Sequence, residues 1–487
     1  MIAPRTLVPL AVLLFAGCTA VGPDYAPPPA AAPVAELPQP AAPAPAAEAA
    51  SAASADSPAV PLTEAETAAW WDAFNDPALT NLIARALAGN LDLRGALSRV
   101  REARAVLGIS RAGLMPTLDA GGSYTRFRNS DYAGAPGDGD NFRAGFDAAW
   151  EIDVFGRRRR AVEAAAADYE AIHASLENTW VSLAAETASA YVELQTVRQR
   201  LAVAQTNLVL QQDSFDLAKS RADAGLSDEL AVFQARYILE QTQASIPLLL
   251  AGEETARNAL AVLTGTLPGE LDPALTAHAP IPSVPPRFLV GIPADLLRRR
   301  PDVRAAERAL AAATARIGIA TADLYPTFTL VGSIGLEASD ADNFFKSGSR
   351  FFGLTPAVTW PIFRAGSIRA NIEVQNARQE QALLAYEQTV LSAVQELRNA
   401  LSDYGREYAR LDSMRRAAVA AENAMTLAQN QYQNGLADYN AVLDAQRSLC
   451  SFRESIAISE GAITSHLIRI YKALGGGWSA LNAKPQG

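Results

Sequence analysis

Phe142-Arg-Ala-Gly-Phe-Asp-Ala-Ala-Trp-Glu-Ile-Asp-Val154 is the stretch whose reading decides the fold. Phe142, Ala144, Phe146, Ala148, Trp150, Ile152 and Val154 alternate with the charged residues Arg143, Asp147, Glu151 and Asp153. Successive side chains of a strand point to opposite faces, so a strict period of two makes one face apolar and the other charged. The run is also longer than the roughly 9 to 11 residues with which a tilted strand crosses a bilayer. A strand that is aromatic on one face and charged on the other, at that length, is the unit of a membrane β-barrel.

Working outward, the strand proves to be one of a set. Asn90-Leu-Asp-Leu-Arg94 answers Arg300-Pro-Asp-Val-Arg304, Leu114-Met-Pro-Thr117 answers Leu324-Tyr-Pro-Thr327, Trp150 answers Trp360, and Ala224-Gly-Leu-Ser-Asp228 answers Asn434-Gly-Leu-Ala-Asp438, each pair 210 positions apart. A constant offset across so many landmarks means a duplicated unit of about 190 residues. The Pro-rich stretch from Pro268 to Pro293 joins the copies. Boundaries of 62–283 and 284–487 are expected for the two repeats. Each copy opens with an Ala- and Arg-rich helical stretch, 91–113 or 301–323, stopped by Pro116 or Pro326. In the second copy Phe328, Leu330, Ile334 and Leu336, then Phe352, Leu354, Val358, Trp360 and Ile362, repeat the apolar face. Four strands are therefore expected, at about 117–129, 140–155, 327–338 and 350–363, around polar loops at 130–139 and 339–349. Pro356 interrupts the last of them and calls for a bulge or a weakly paired position.

After each strand pair the period changes. Residues 157–222 contain neither Pro nor Gly, and a helix of that length would run roughly 100 Å. Two heptad rows mark its seam: Trp180, Thr187, Leu194, Leu201, Leu208, Phe215 and Ala222, and Leu176, Leu183, Ala190, Val197, Ala204, Gln211 and Ala218. Leu397, Tyr404, Leu411, Ala418, Met425 and Tyr432 repeat the first row in the second copy. Gly225 and Gly435 suit left-handed helix ends, and Asp228 and Asp438 are placed to cap the returning helices. Two long helical hairpins are expected, over 157–264 and 364–474.

Four strands cannot close a barrel, and an open sheet edge is not tolerated in hydrocarbon. Several chains must therefore pool their strands. Three chains would give twelve, with a matching ring of helices continuing the tube below the membrane.

The N-terminus reads as an address. Arg5, an apolar stretch from Leu7 to Ala16, Gly17 and Cys18 have the layout of a secretory signal over 1–17. Such a segment resembles a bacterial lipoprotein signal, with Cys18 as the lipid-carrying residue; an ordinary signal with an incidental cysteine fits the same letters. Acyl chains on Cys18 would hold the chain to a membrane, and Thr19 in place of an Asp favours the outer one. From Cys18 to residue 61 Ala and Pro dominate, a composition suited to an extended tether.

Composition excludes other classes. The 487 residues carry a net charge of −10, the wrong sign for a nucleic-acid partner. Beyond the N-terminus no apolar run reaches the length of a membrane helix. His173, His278 and His466 are scattered, without a second His or Cys at ligand spacing, so no metal and no other cofactor is expected. Cys450 has neither a Cys nor a His close by and reads as a small apolar filler. The Arg157–Arg160 run fits either a solvated helix start or a contact with lipid phosphates. No set of convergent acid, base or nucleophile points to an enzyme, and no nucleotide-binding loop is present.

Trp70-Trp71 with Phe74, Asp76, Pro77 and Leu79, then Leu296-Leu-Arg-Arg-Arg-Pro-Asp-Val-Arg304 with Ala305-Ala-Glu-Arg-Ala-Leu310, Asp323-Leu-Tyr-Pro-Thr327, Trp360-Pro-Ile-Phe363 and Leu474-Gly-Gly-Gly-Trp478 resemble the NodT-type branch of the TolC-like outer membrane factors. The resemblance implies a mixed α and β membrane protein: a homotrimer with a twelve-stranded β-barrel, a periplasmic α-helical barrel and an equatorial belt. Its implied partners are a periplasmic adaptor protein, an inner-membrane pump and outer-membrane lipid. The segment Asn434 to Arg447 resembles the tip where such tubes pinch shut, which makes Asp438, Asp444 and Arg447 the expected gate and Gly225, Asp228 and Gly435 the expected adaptor contacts. Asp438 also fits a plain helix cap, and Asp444 with Arg447 a surface pair one turn apart. The acidic strand face, with Asp147, Glu151 and Asp153, would line the lumen. Small-molecule efflux is the function implied; a protein-secretion duct and a lipid-tethered periplasmic coiled-coil scaffold are the rival readings.

Overall fold

The computed structural model describes residues 20–28, 69–130, 132, 137–271, 273, 275, 279–283 and 299–477. A short 3-10 turn, Trp70–Phe74, leads into helix α1 (Pro77–Gly89), where the Asp76 carboxylate accepts from the Ala78 and Leu79 amides and Pro77 fills a position that needs no amide hydrogen. Helix α2 (Leu91–Ala112) is capped by Asn90, whose side-chain oxygen accepts from the Leu93 amide. Strands β1 (Thr117–Asn129) and β2 (Gly137–Ile152) follow, then helices α3 (Arg157–Asp223) and α4 (Glu229–Thr264). The second half repeats the order with α5 (Pro301–Ala322), β3 (Thr327–Ala338), β4 (Arg350–Thr359), α6 (Ser367–Gln433) and α7 (Tyr439–Ala473). None of the described helices is long and apolar enough to cross a membrane.

The strands form one antiparallel sheet in the order β1-β2-β3-β4. Two of them stop short of the expected ends. β2 closes at Ile152 because the next carboxylate, Asp153, accepts from the amides of Arg158 and Arg159 at the open end of α3. β4 closes at Thr359; Pro361 has no amide to donate, the Ile362 amide turns back to the Trp360 carbonyl, and Ala365 and Gly366 adopt positive φ values of 47° and 85°. The ladder passes through Pro356, opposite Leu330, in continuous register, and β4 is an edge strand of this chain's sheet, where a missing donor is tolerated.

The duplication survives in the hydrogen bonds. Trp150 Nε1 donates to the Leu114 carbonyl at 3.0 Å and Trp360 Nε1 to the Leu324 carbonyl at 3.1 Å. Asn90 Nδ2 donates to the Leu263 carbonyl, and Arg300 Nη1 donates to the Ala473 carbonyl, at 3.0 and 2.9 Å. Both members of each pair differ by the offset of the sequence repeat.

Contacts gather the chain into two compact units, and each takes corresponding pieces of both halves. The first holds Ser98–His173 and Arg304–Gln388 with the N-terminal segment. Besides the sheet, it contains a strap: Arg160, itself buried, bonds the Val21 and Gly22 carbonyls and the Asp24 carboxylate, while Tyr25 packs on Ala167, Ala311 and Ala312. Gly22 lies so close to Gly318 that a Cβ there would stand 2.4 Å from the Gly318 Cα.

The second unit comprises Ala30–Leu97, Ala174–Val303 and Thr389–Gly487. Its main core joins Trp70, Trp71, Phe74, Leu79, Leu82 and Ile83 to α3 at Ala184 to Leu194, to Leu260 of α4 and to Ile468 and Tyr471 of α7. Trp70 stacks on Tyr471 at 5.3 Å, and Tyr191 donates to Asp76. Below α1 a buried network fixes α3 to α4: Arg198 donates to Glu253 at 2.9 Å, and Arg257 shares the same carboxylate. Along the expected heptad rows, Thr187, Leu194 and Leu201 in α3 and Leu397, Leu411, Met425 and Tyr432 in α6 are buried.

Candidate functional site

The register sorts the strand side chains into two faces. Phe142, Phe146, Trp150 and Ile152 share a face with Leu118 and Tyr124 of β1, with Leu330, Ile334 and Leu336 of β3, and with Phe352, Leu354 and Val358 of β4. Phe352 is 87% exposed in the single chain. So large an apolar area outside water is the lipid face of a barrel. The opposite face carries Asp119, Ser123, Arg143, Asp147, Glu151, Thr329, Ser333 and Glu337.

On that polar face Gly121, Gly145 and Gly335 stand side by side across three strands and end at Phe351. Arg143 lies over the Phe351 ring, 4.6 Å from its centre, and reaches Asp147 at 3.8 Å. Asp119 is the direct cross-strand neighbour of Asp147, so this level of the wall is acidic.

Two expected lumen charges are otherwise engaged. Glu151 takes Arg158 at 2.5 Å and Arg157 at 3.5 Å, and Asp153, already outside the strand, takes Arg159 at 3.3 Å. Arg157 also reaches Asp323, and Arg160 holds Asp24 and Glu163. The Arg157–Arg160 run thus serves the joint between strand and helix, with Arg157, Arg158 and Arg159 still partly solvated at the helix start and only Arg160 buried. Sequence periodicity assigned Glu151 and Asp153 to a face; only the fold brings the guanidinium groups back onto them.

The hairpin tips follow their turn chemistry. Gly225 and Gly435 have φ of 70° and 72°, the left-handed conformation that favours glycine, and the Leu226 and Leu436 amides close the helix ends onto the Arg221 and Gln431 carbonyls. Asp228 accepts from the Leu230 amide and Asp438 from the Ala441 amide, so both are helix caps. The two tips also touch: Arg221 donates to the Gln433 carbonyl at 2.7 Å and lies over the Tyr432 ring, and Ser227 bonds the Tyr432 hydroxyl. Burial, with Tyr432 and Tyr237 nearby, pushes the Tyr439 phenol up to about 12, so it stays neutral.

About two turns into α7, Arg447 donates to the Tyr237 hydroxyl of α4 and stands over its ring, 5.5 Å from the centre. Asp444 is exposed, and among the described residues Arg447 makes its side-chain bond to Tyr237 instead of to Asp444. Tyr237 escaped sequence reasoning, yet a signal was there: 237 and 447 differ by the repeat offset, so the pair occupies equivalent positions of the two copies.

The remaining sites are quiet. Cys18 and His278 lie outside the described residues. Burial lowers the His466 imidazole below its usual range, helped by Arg469, and pushes the Cys450 thiol up. Among the described residues no group of His, Cys, Asp and Glu is placed to hold a metal ion.

The pattern of the outer membrane efflux protein family matches residues 82–266 and again 292–476, each limit displaced by the offset of the internal repeat. The chain belongs to the outer membrane efflux protein family. It is 34% identical over 483 residues to the solvent efflux pump outer membrane protein SrpC of Pseudomonas putida, with 98% of both chains covered. Nodulation protein T of Rhizobium leguminosarum bv. trifolii is 31% identical, with 98% of each covered. Among solved structures, the outer-membrane channel OprN superposes with a TM-score of 0.85 at 36% identity, over 94% of this chain and 99% of that one. This outer membrane efflux protein is therefore an outer-membrane channel extending into the periplasm, and its four strands are one third of a trimeric twelve-stranded barrel.

Proposed function

We propose that this protein is the passive outlet of a tripartite efflux pump, carrying small toxic molecules from the periplasm to the exterior, and that its valve is the link between Arg447 and Tyr237. The observation that carries the reading is this bond between the two hairpins of one chain, α4 to α7, beside tips already held together by Arg221 and Ser227. About a three-fold axis three such links would brace the hairpins, and charge-assisted bonds are the strong kind. Asp444 and Asp438 complete the gate in this reading, as carboxylates brought near their symmetry copies, where like charges repel once the links break.

The tips around Gly225, Asp228 and Gly435 then meet a periplasmic adaptor, which in turn engages an inner-membrane pump that supplies the energy. Acyl chains on Cys18 anchor each protomer of the homotrimer in outer-membrane lipid. Solvents are the cargo named for one relative, and comparable small amphipathic compounds are the cargo proposed here.

Single-channel conductance in planar bilayers tests the reading. Wild type is expected to be mostly closed and Arg447→Ala mostly open; equal behaviour of the two would move the valve elsewhere. Absence of any conductance from either would favour a scaffold.

A further inference from the structure

The strand register repeats with the sequence. Thr117 stands opposite Ala149 and Thr327 opposite Thr359, each number displaced by 210, so the two hairpins are paired alike. Between the copies β2 pairs with β3, Phe142 opposite Ala338 and Ile152 opposite Phe328. In a barrel of three chains the seam left to close is β4 against β1 of the next chain, which again joins one copy to the other. Six like units around one barrel should meet alike. The β2–β3 register, displaced by the repeat, then sets Phe352 opposite Arg128 of the partner subunit and Thr355 opposite the partner's Thr125. A slip by one residue is excluded, because it would turn the apolar face of one strand into the lumen.

This seam gathers three arginines. Arg126, Arg128 and Arg350 lie on the lipid face with Phe142 and Phe352, and all three are exposed. Arg126 and Arg128 are two residues apart on one face of β1, about 7 Å. Arg350 becomes the diagonal neighbour of the partner's Arg128, about 7–8 Å across the seam. The helices leave from the Ile152 and Thr359 ends of the strands, so the arginines, near the opposite ends, stand at the outer rim. Trp150 and Phe142, eight residues apart, cover about 20 Å of the membrane normal at the usual strand tilt, most of the roughly 25 Å apolar band. Tyr124 packs on Phe142 with ring centres 4.9 Å apart, and Arg126 lies one step beyond them.

Asp140 and Asp138 are the cross-strand neighbours of Arg126 and Arg128, yet neither pair closes into an ion pair. Asp140 accepts from the Tyr124 hydroxyl at 2.8 Å, and Arg126 stands beside that hydroxyl. Among the described residues no carboxylate pairs with Arg128 or Arg350 either. Guanidinium groups match phosphate oxygens two at a time, and basic groups at the edge of the hydrocarbon are where lipid head groups are held. Phe352, 87% exposed directly below, offers the acyl chains of such a lipid an apolar wall, which a free phosphate would not use. At the internal β2–β3 seam the corresponding positions are Asp140, Leu336 and Ala338. The arginines therefore belong to the seam between subunits and are not demanded by the fold.

We propose that each seam between subunits holds the phosphate of an outer-leaflet glycolipid, between Arg350 of one subunit and Arg126 and Arg128 of the partner subunit. The site is incomplete in a single chain, so lipid binding and trimer assembly favour each other. It rests on the trimeric barrel and is independent of the valve.

Native mass spectrometry of the intact trimer, titrated with lipid A or with dephosphorylated lipid A, tests the site. Lipid A should add up to three copies per trimer, and the dephosphorylated form should bind about ten- to hundredfold more weakly, as expected for the loss of three exposed ion pairs. Equal binding of the two lipids, or binding of neither, overturns the proposal, and that comparison needs no variant to fold. Displacement of lipid A by an equal concentration of inorganic phosphate would make this a free-anion site and overturn the lipid assignment. The Arg126→Gln, Arg128→Gln, Arg350→Gln variant should keep its trimer mass and lose lipid A to the same extent; undiminished binding removes the arginines from the site. The register is checked in a Cys450→Ala background. Thr355→Cys with Thr125→Cys should oxidise to a covalent trimer on denaturing gels, because the counterpart Gly145–Gly335 is a close pair, with a Cβ on Gly335 only 2.8 Å from the Gly145 Cα. Thr355→Cys with Ser123→Cys should stay unlinked, and preferential linking of that pair overturns the seam.

Discussion

Replacing Tyr237 by Phe removes one hydroxyl and leaves the ring under Arg447, which makes it the sharpest probe of the valve. Tyr237 is 46% exposed and Arg447 is exposed, so water competes for the bond. An exposed charged contact of this kind is worth about 0.5–1 kcal/mol. Three copies acting independently in the trimer sum to about 1.5–3 kcal/mol. Each 1.4 kcal/mol is a factor of ten, so the ratio of open to closed channels should rise roughly ten- to hundredfold. Arg447→Ala, which also loses the cation–π contact, should exceed it. The assay is open probability in planar bilayers at fixed voltage and low salt. If Tyr237→Phe and Arg447→Ala both leave open probability at the wild-type value, the Arg447–Tyr237 link is only a surface contact and the argument fails.

Other expectations follow from buried or crowded positions. Glu253→Ala strands Arg198, 2% exposed at its side chain, and should cost about 3 kcal/mol, the lower end for a broken buried pair because Arg198 keeps the Leu275 carbonyl; thermal unfolding by circular dichroism reads it. Burial alone would raise the Glu253 carboxyl, but Arg198 and Arg257 outweigh it and hold the group below its ordinary 4.5. Its contribution is therefore complete above about pH 4.5 and is lost as pH falls through the lower folded value, so the wild-type advantage over Glu253→Gln should shrink on acidification. Gly335→Ala places a Cβ 2.3 Å from the Ala144 carbonyl oxygen and should lower the yield of heat-resistant trimer on gels, with a cost of about 1–3 kcal/mol. Metabolic labelling with palmitate should mark the wild type and not Cys18→Ser; equal labelling of both would remove Cys18 as the anchor.

Much of the architecture is written locally. Strand existence follows from a period of two around Trp150, helix length from 66 residues without Pro or Gly, and the tip turns from Gly225 and Gly435, because each depends on residues close in the chain. The duplication is legible for the same reason, and it reappears in the paired bonds of Trp150 and Trp360. Asp438 shows the limit: its place before a helix is local, and the structure finds it capping the Ala441 amide.

What the tertiary structure decided is which groups face each other across elements. Glu151 and Asp153 read as free wall charges until the chain turns Arg157, Arg158 and Arg159 back on them. The partner of Arg447 is Tyr237, not Asp444 three residues away, because the rotation of α7 about its own axis is set by the packing of Val442, Leu443 and Leu449. Periodicity fixes which face of a helix is buried, but a meeting of two side chains 210 residues apart depends on how two such faces settle against each other. That depends on packing over the whole hairpin, which no short window of sequence contains.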